Sequence, residues 1–214
     1  MKICGIDPGL TGALAFLETD PLTAPHSSRL LSTIDMPVAK TMVGKRLAKS
    51  RKTAPQTPNW WAVAAALREE EPDLVVLENQ RPMPQQGVVS MFSLGRQMGG
   101  LEGVLAALGL PFEVVEPVTW KWAVGLKGRE KEASRQLALK LMPEGAALFG
   151  RKRDHGRAEA ALIALWKASY EKAPIAQRAR VNLYHSSVEP KRNARGYKLP
   201  RPRSGRSAAG LPRT

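Results

Sequence analysis

Cysteine is nearly missing from this chain: Cys4 stands alone among 214 residues. A single thiol excludes an internal disulfide and a thiolate-built zinc site, and it suits a reducing cytoplasm. Long apolar runs are missing too, since none approaches the roughly 20 residues that a bilayer-spanning helix needs. "MKICGIDPG" passes straight into a strand pattern, so no signal peptide is expected. Acid is short: 19 Asp and Glu face 33 Lys and Arg, for a formal net charge of +14. Apolar side chains are not short, at 43% of the chain, so a proper core is expected. The length suits one domain with an appendage.

The excess charge is unevenly placed. Residues 171–214 hold eleven Lys or Arg against Glu171 and Glu189, so this segment carries +9 of the +14. A second block, "KTMVGKRLAKSRKTAPQTP" (40–58), has six basic residues and no acid, among them Lys45, Arg46, Arg51 and Lys52. Solvated tails can look like this. Two separate blocks on one short chain point instead to a polyanion, nucleic acid ahead of an anionic membrane surface. The Pro-, Arg- and Ser-rich stretch after Tyr170 reads as an extended tail. The expected division is a globular domain over 1–170, with a basic insertion at about 38–58, and a basic tail over 171–214.

Along the domain, "KICGIDPGLTGALAFLE" reads as strand, Pro-Gly turn, strand, and "RLLSTIDMP" as a third strand closing a meander. The prolines of the basic block predict an irregular insertion. "NWWAVAAALREEE" is helical, with Asn59 as its N-cap and Pro72 as its stop. "DLVVLEN" is a short unbroken apolar run, the mark of a central strand buried on both faces. A long helix is predicted over roughly 88–109, a fifth strand at "PFEVVEP", helices at about 117–124 and 129–142, and a last helix from Ala158 onward. Three strands followed by alternating helix and strand predict an α/β fold: one mixed five-stranded sheet with helices on both faces.

Acids then gain meaning from where they fall. Asp7 ends the first strand and Glu78 the fourth, so both emerge at adjacent positions if those strands are neighbours. Glu159 sits inside the apolar run of the last helix, on the same side as His155, Ile163 and Trp166. A carboxylate beside a core stripe is costly unless something pairs with it. Three carboxylates held close together cannot all ionise without a cation, and hard oxygen donors favour Mg²⁺ or Mn²⁺. Two such ions would suit phosphodiester hydrolysis. Each acid also has a plainer use: Asp7 in its turn, Glu78 at a strand end, Asp154 as a helix cap.

"GIDPGLTGALAF", "LVVLENQ" and "DHGRAEAALIAL", in that order and at those separations, resemble the RuvC-type Holliday junction resolvases, in particular the branch common in bacteriophages and prophages. The resemblance covers roughly residues 1–170. It implies a ribonuclease H-like fold, a homodimer, two Mg²⁺ or Mn²⁺ ions per site and paired nicks in branched DNA, in the cytoplasm of a bacterium or a phage-infected host. No membrane partner is expected. Asp7, Glu78 and Glu159 match the first, second and last acidic ligands of the family. The third ligand of bacterial resolvases lies three residues before the last, and here that position is Gly156. Helix geometry favours His155, four residues back on the same face, as the replacement; Asp154 is the alternative if it lies outside the helix.

The resemblance also implies a lysine that supports the transition state. Lys131 is the best match, with Lys121 and Lys127 as further candidates and as DNA contacts. Trp120 and Trp122, two apart, cannot share a helical face, so one is expected in the core and the other free to stack on a splayed base. After Glu78, where bacterial resolvases carry an aromatic wedge, the chain offers Arg81 and Met83, the latter an apolar wedge candidate. Gly95, Gly99 and Gly103 make a stripe without side chains that suits either packing on the sheet or a dimer seam.

Overall fold

The computed structural model describes residues 1–20, 28–40 and 56–170. Their strands are β1 (Lys2–Asp7), β2 (Ala13–Glu18), β3 (Arg29–Asp35), β4 (Val38–Lys40), β5 (Gln56–Pro58), β6 (Leu74–Glu78) and β7 (Phe112–Val115). Five of them build the main sheet, in the order β3-β2-β1-β6-β7. The meander is antiparallel, Asp7 pairing with Ala13 and Ala13 with Asp35. β6 runs parallel to β1, Ile6 lying opposite Leu77, and β7 runs parallel to β6. The mixed sheet expected from the sequence is the one observed.

Strand alternation divides the apolar side chains into two cores. Cys4, Ile6, Leu14, Phe16, Val75 and Leu77 face helices α1 (Trp60–Glu70) and α2 (Val88–Leu108) through Val63, Leu67, Leu101 and Leu105. Ile3, Ala13, Ala15, Leu17 and Val76 cluster with Trp120 of α3 (Pro117–Ala123), Ala138 of α4 (Lys131–Leu141) and the apolar face of α5 (His155–Tyr170). A sheet buried on both faces explains why β1 and β6 read as unbroken apolar runs. Asn59 caps α1, its Oδ1 accepting from the Ala62 N–H at 3.2 Å. Among the described residues no helix is long and apolar enough to cross a membrane.

Helix α5 packs closely on the β1–β2 hairpin. A Cβ added to Gly5 would stand 2.1 Å from the Ala160 carbonyl oxygen, and one on Gly156 2.4 Å from that of Thr11. Helix and hairpin therefore meet backbone to backbone, which small residues at 158, 160, 161 and 164 permit.

Three features depart from the pattern reading. The insertion is not irregular at its base: β4 pairs antiparallel with β5 as a small separate sheet. Pro58 ends that ribbon, where a missing N–H is tolerated. The last helix starts at His155 rather than Ala158, preceded by short 3₁₀ turns at Pro143–Leu148 and Lys152–Asp154. And Gly95, Gly99 and Gly103 do not pack on the sheet, for a Cβ on any of them would meet nothing within 4 Å. Gly100 is the glycine that packs inward, against the Trp60 indole. Lys45, Arg46, Arg51, Lys52 and the 171–214 tail lie outside the described residues.

Candidate active site

Asp7 and Glu78 come together because their strands are parallel neighbours and each acid stands one residue past the Ile6–Leu77 pair. Alternation puts Asp7 on the side of Ile3 and Glu78 on the side of Val76, the side covered by α5. The tight seat of α5 on Gly5 then brings Glu159 over the same corner. Asp7 is half-buried, while Glu78 and Glu159 are buried. The Gly9 N–H donates to Asp7 Oδ1 at 3.3 Å within the Pro-Gly turn. Gly12 closes that turn, where a Cβ would strike the Asp7 carbonyl oxygen at 2.1 Å.

Lys121 of α3 occupies the middle of the cluster. Its Nζ donates to Glu159 Oε2 at 3.0 Å and stands 3.7 Å from Glu78 Oε1. It also lies 5.0 Å from the centre of the Trp120 ring, a cation–π contact. Two further donors orient the acids. The Trp120 indole N–H donates to Glu78 Oε1 at 2.9 Å, and Ser134 Oγ donates to Glu159 Oε1 at 2.9 Å. Glu159 is thus neutralised within the protein by Lys121, where the sequence alone suggested only a bound metal.

One ammonium does not balance three carboxylates. Burial, then the neighbouring Glu159 charge, pushes the Asp7 carboxyl up. Burial likewise pushes Glu78 up to about 7, despite Lys121 and the indole N–H, with Asp7 adding to the rise. Burial alone would lower Lys121, but Glu78 and Glu159 together hold its ammonium above the ordinary lysine range. The corner is short of positive charge, which is the condition under which hard cations bind carboxylates. Its donors are carboxylate oxygens, matching Mg²⁺ or Mn²⁺ rather than a soft metal. Among the described residues, however, no three His, Cys, Asp or Glu side chains stand at closed metal-site spacing. Glu78 and Glu159 engage Lys121 instead.

The remaining candidates separate. His155, half-buried at the head of α5, lies near enough to Asp7 to favour its charged form. Asp154 turns away. Its carboxylate accepts from the Arg151 backbone N–H at 2.8 Å and from Arg151 Nη2 at 2.7 Å. Burial would raise Asp154, but the Arg151 guanidinium and backbone N–H outweigh it and hold the carboxyl low. Gly156 leaves no room for an acid at the family's position, given Thr11 against its Cα. Arg81 pairs with Glu116 at 2.5 Å, Met83 is exposed, and Lys127 is exposed in the loop after α3. Lys131 heads α4, but its side chain lies outside the described residues. Lys121, second to Lys131 on sequence, is the lysine seen among the acids.

Ser134 was not singled out from the sequence, and Trp120, weighed there as a core or base-stacking residue, was not expected to hold Glu78. Both carried a readable sign: a buried Trp needs a partner for its N–H, and Ser134 interrupts the apolar Leu137, Ala138, Leu141 face of α4.

No family model matches the chain. A chloroplastic Holliday junction resolvase, MOC1 of Chlamydomonas reinhardtii, is 33% identical over 85 residues. That stretch is 39% of this chain and only 10% of the curated relative. Among solved structures, Thermus thermophilus RuvC in complex with a Holliday junction substrate superposes with a TM-score of 0.56 at 22% identity, over 79% of this chain and 94% of that one. Thermus thermophilus RuvC in a second structure gives 0.52 at 22% identity, over 79% and 95%. The described domain has the RuvC-type, ribonuclease H-like fold.

Proposed function

We propose that this chain is a metal-dependent endodeoxyribonuclease that nicks four-way junctions or other branched DNA. The observation that carries the reading is the meeting of Asp7, Glu78 and Glu159 from β1, β6 and α5 in one corner with Lys121. Asp7 and Glu78, with Glu159 and His155 beside them, would hold two Mg²⁺ or Mn²⁺ ions. Bound there, such ions supply an activated water and stabilisation of the leaving oxygen. Trp120 and Ser134 hold the Glu78 and Glu159 carboxylates in place. Lys121 offers a fixed cation for charge developing on the phosphate. The net charge of +14 supports a polyanionic substrate, and the similarity to proteins named Holliday junction resolvases supports a branched one.

The same reading makes the protein a homodimer. Support comes from α2, whose first turns expose Val88, Val89 and Phe92 and whose Gly95, Gly99 and Gly103 face open space. A contiguous apolar helix face of this kind suits a second protein surface.

A second reading, a nucleic-acid-binding protein on a nuclease fold that has lost catalysis, draws on the Lys121 ion pairs that already engage Glu78 and Glu159. A synthetic four-way junction and a linear duplex, each incubated with Mg²⁺, Mn²⁺ or EDTA, decide between them. Nicks in the junction with either ion, and none in EDTA, support the nuclease. Tight junction binding without nicks in any condition supports the binding protein.

A further inference from the structure

Helix α3 places three consecutive side chains in three environments. Trp120 is fully buried and holds Glu78, Lys121 stands between Glu78 and Glu159, and Trp122 is 71% exposed. An exposed indole has no part in the core, and leaving so large an apolar ring in water forgoes the burial it could contribute. Val118, also exposed, lies one turn before Trp122 on the same face, so the two form a small apolar shelf. Beyond the shelf the chain turns through Gly125 and Gly128, both with positive φ, and presents Lys127 and Arg129 to solvent beside Glu130.

The Lys127 N–H donates to the Lys121 carbonyl at 3.1 Å, so the basic loop folds back on the end of the helix that carries the shelf. Aromatic rings and cations on one short segment are the means by which unpaired bases are stacked while their phosphates are neutralised. We propose that Trp122 is a specificity-determining residue, stacking on a base left unstacked at a branch point beside the nucleotide whose phosphate faces Lys121. The inference rests on the nuclease reading above. It adds the means by which that site prefers branched DNA. In an intact duplex every base is already stacked and paired, so the indole has no face to meet and contributes nothing. At a branch, an unstacked base is free to cover it. Trp122 therefore separates branched from linear DNA without reading sequence, because every base has a π-face.

The full-length protein, its Trp122→Ala and Trp122→Phe variants, and Trp61→Ala as a second exposed tryptophan are titrated with a labelled four-way junction and a linear duplex in EDTA. Trp122→Ala is expected to weaken junction binding about tenfold and to leave duplex binding within about twofold, with Trp122→Phe recovering most of the loss. Trp61→Ala is expected to match wild type on both DNAs. Unchanged junction affinity in Trp122→Ala, or equal losses on junction and duplex, overturns the proposal. So does a fall in subunit assembly by sedimentation in Trp122→Ala, which would make the shelf a protein contact. A wild-type protein that neither prefers the junction nor nicks it withdraws the nuclease reading itself; a preference intact in wild type and in Trp122→Ala sinks only the role of Trp122.

Discussion

Replacing Glu78 with glutamine should stabilise the metal-free protein at pH 8 while abolishing nicking. Burial moves the Glu78 carboxyl from its ordinary 4.5 to about 7 in the folded chain. A group raised on folding binds a proton as the chain folds. Its stability contribution is therefore complete below pH 4.5 and lost as pH rises through about 7. At pH 8 that difference amounts to about 3 kcal/mol. Glutamine keeps the shape, and its amide oxygen still accepts the Trp120 N–H, but it carries no charge to desolvate. The attraction of Lys121 is already contained in that value, and Lys121 keeps Glu159 at 3.0 Å, so the gain stays at about 3 kcal/mol. In a chain of this size that is a rise in Tm of roughly 6–12 °C. Thermal unfolding of both proteins in EDTA at pH 4.5 and pH 8 reads it out. Asp7, also raised, tilts both curves, so the informative quantity is the gap between the two proteins. The gap should be near zero at pH 4.5, open at pH 8, and narrow again when Mg²⁺ is added, because a cation stabilises only the carboxylate form. A variant no more stable than wild type at pH 8, or a gap independent of pH, would refute the idea that Glu78 is under electrostatic strain.

Gly5→Ala should cost about 2 kcal/mol in urea unfolding, since the new methyl meets the Ala160 carbonyl, and should reduce nicking by moving Glu159 off its corner. Asp154→Ala should lower stability by about 1 kcal/mol, because Arg151 is left without its carboxylate, and should leave nicking intact. His155→Asp should shift the metal preference from Mn²⁺ toward Mg²⁺. Loss of nicking in a folded Asp154→Ala, with His155→Ala active, would reverse the two assignments. Truncation at about residue 172 removes +9 of charge and should flatten the slope of log affinity against log salt by about 0.9 for each duplex phosphate that the segment neutralises. Junction and duplex binding should weaken alike, because phosphate contacts carry no base information. An unchanged salt slope with a lowered Tm would show that the segment supports the fold instead.

Much of the fold was legible because its strands are short apolar runs bounded by turn residues. β1 and β6 could be read as central strands, and the acid at the end of each followed directly. What a linear pattern does not contain is the distance between α5 and the sheet. That distance depends on Gly5 and Gly156, glycines that look like any others in the sequence and whose missing Cβ atoms set the position of Glu159. The choice among Lys121, Lys127 and Lys131 was open for a related reason. Lysines scattered along two helices and a loop differ only in tertiary placement, and Lys121 enters the corner because its neighbour Trp120 is anchored in the core. Asp154 and His155 separated through an interaction that spacing alone leaves open, the return of the Asp154 carboxylate to Arg151. The β4–β5 ribbon was hidden by prolines that argue against strands in general but are tolerated at the ends of a two-stranded edge.

The central claim, that the acidic corner performs the cleavage while other basic groups bind the DNA, is tested most directly by one comparison. Nicking and binding of a four-way junction are measured in parallel for wild type and Asp7→Asn. Asparagine fits the same turn and removes a single negative charge from the corner. The account predicts no nicks from Asp7→Asn with Mg²⁺ or Mn²⁺, together with junction binding equal to or tighter than wild type. Nicking by Asp7→Asn at a rate near that of wild type would contradict it and place the chemistry elsewhere.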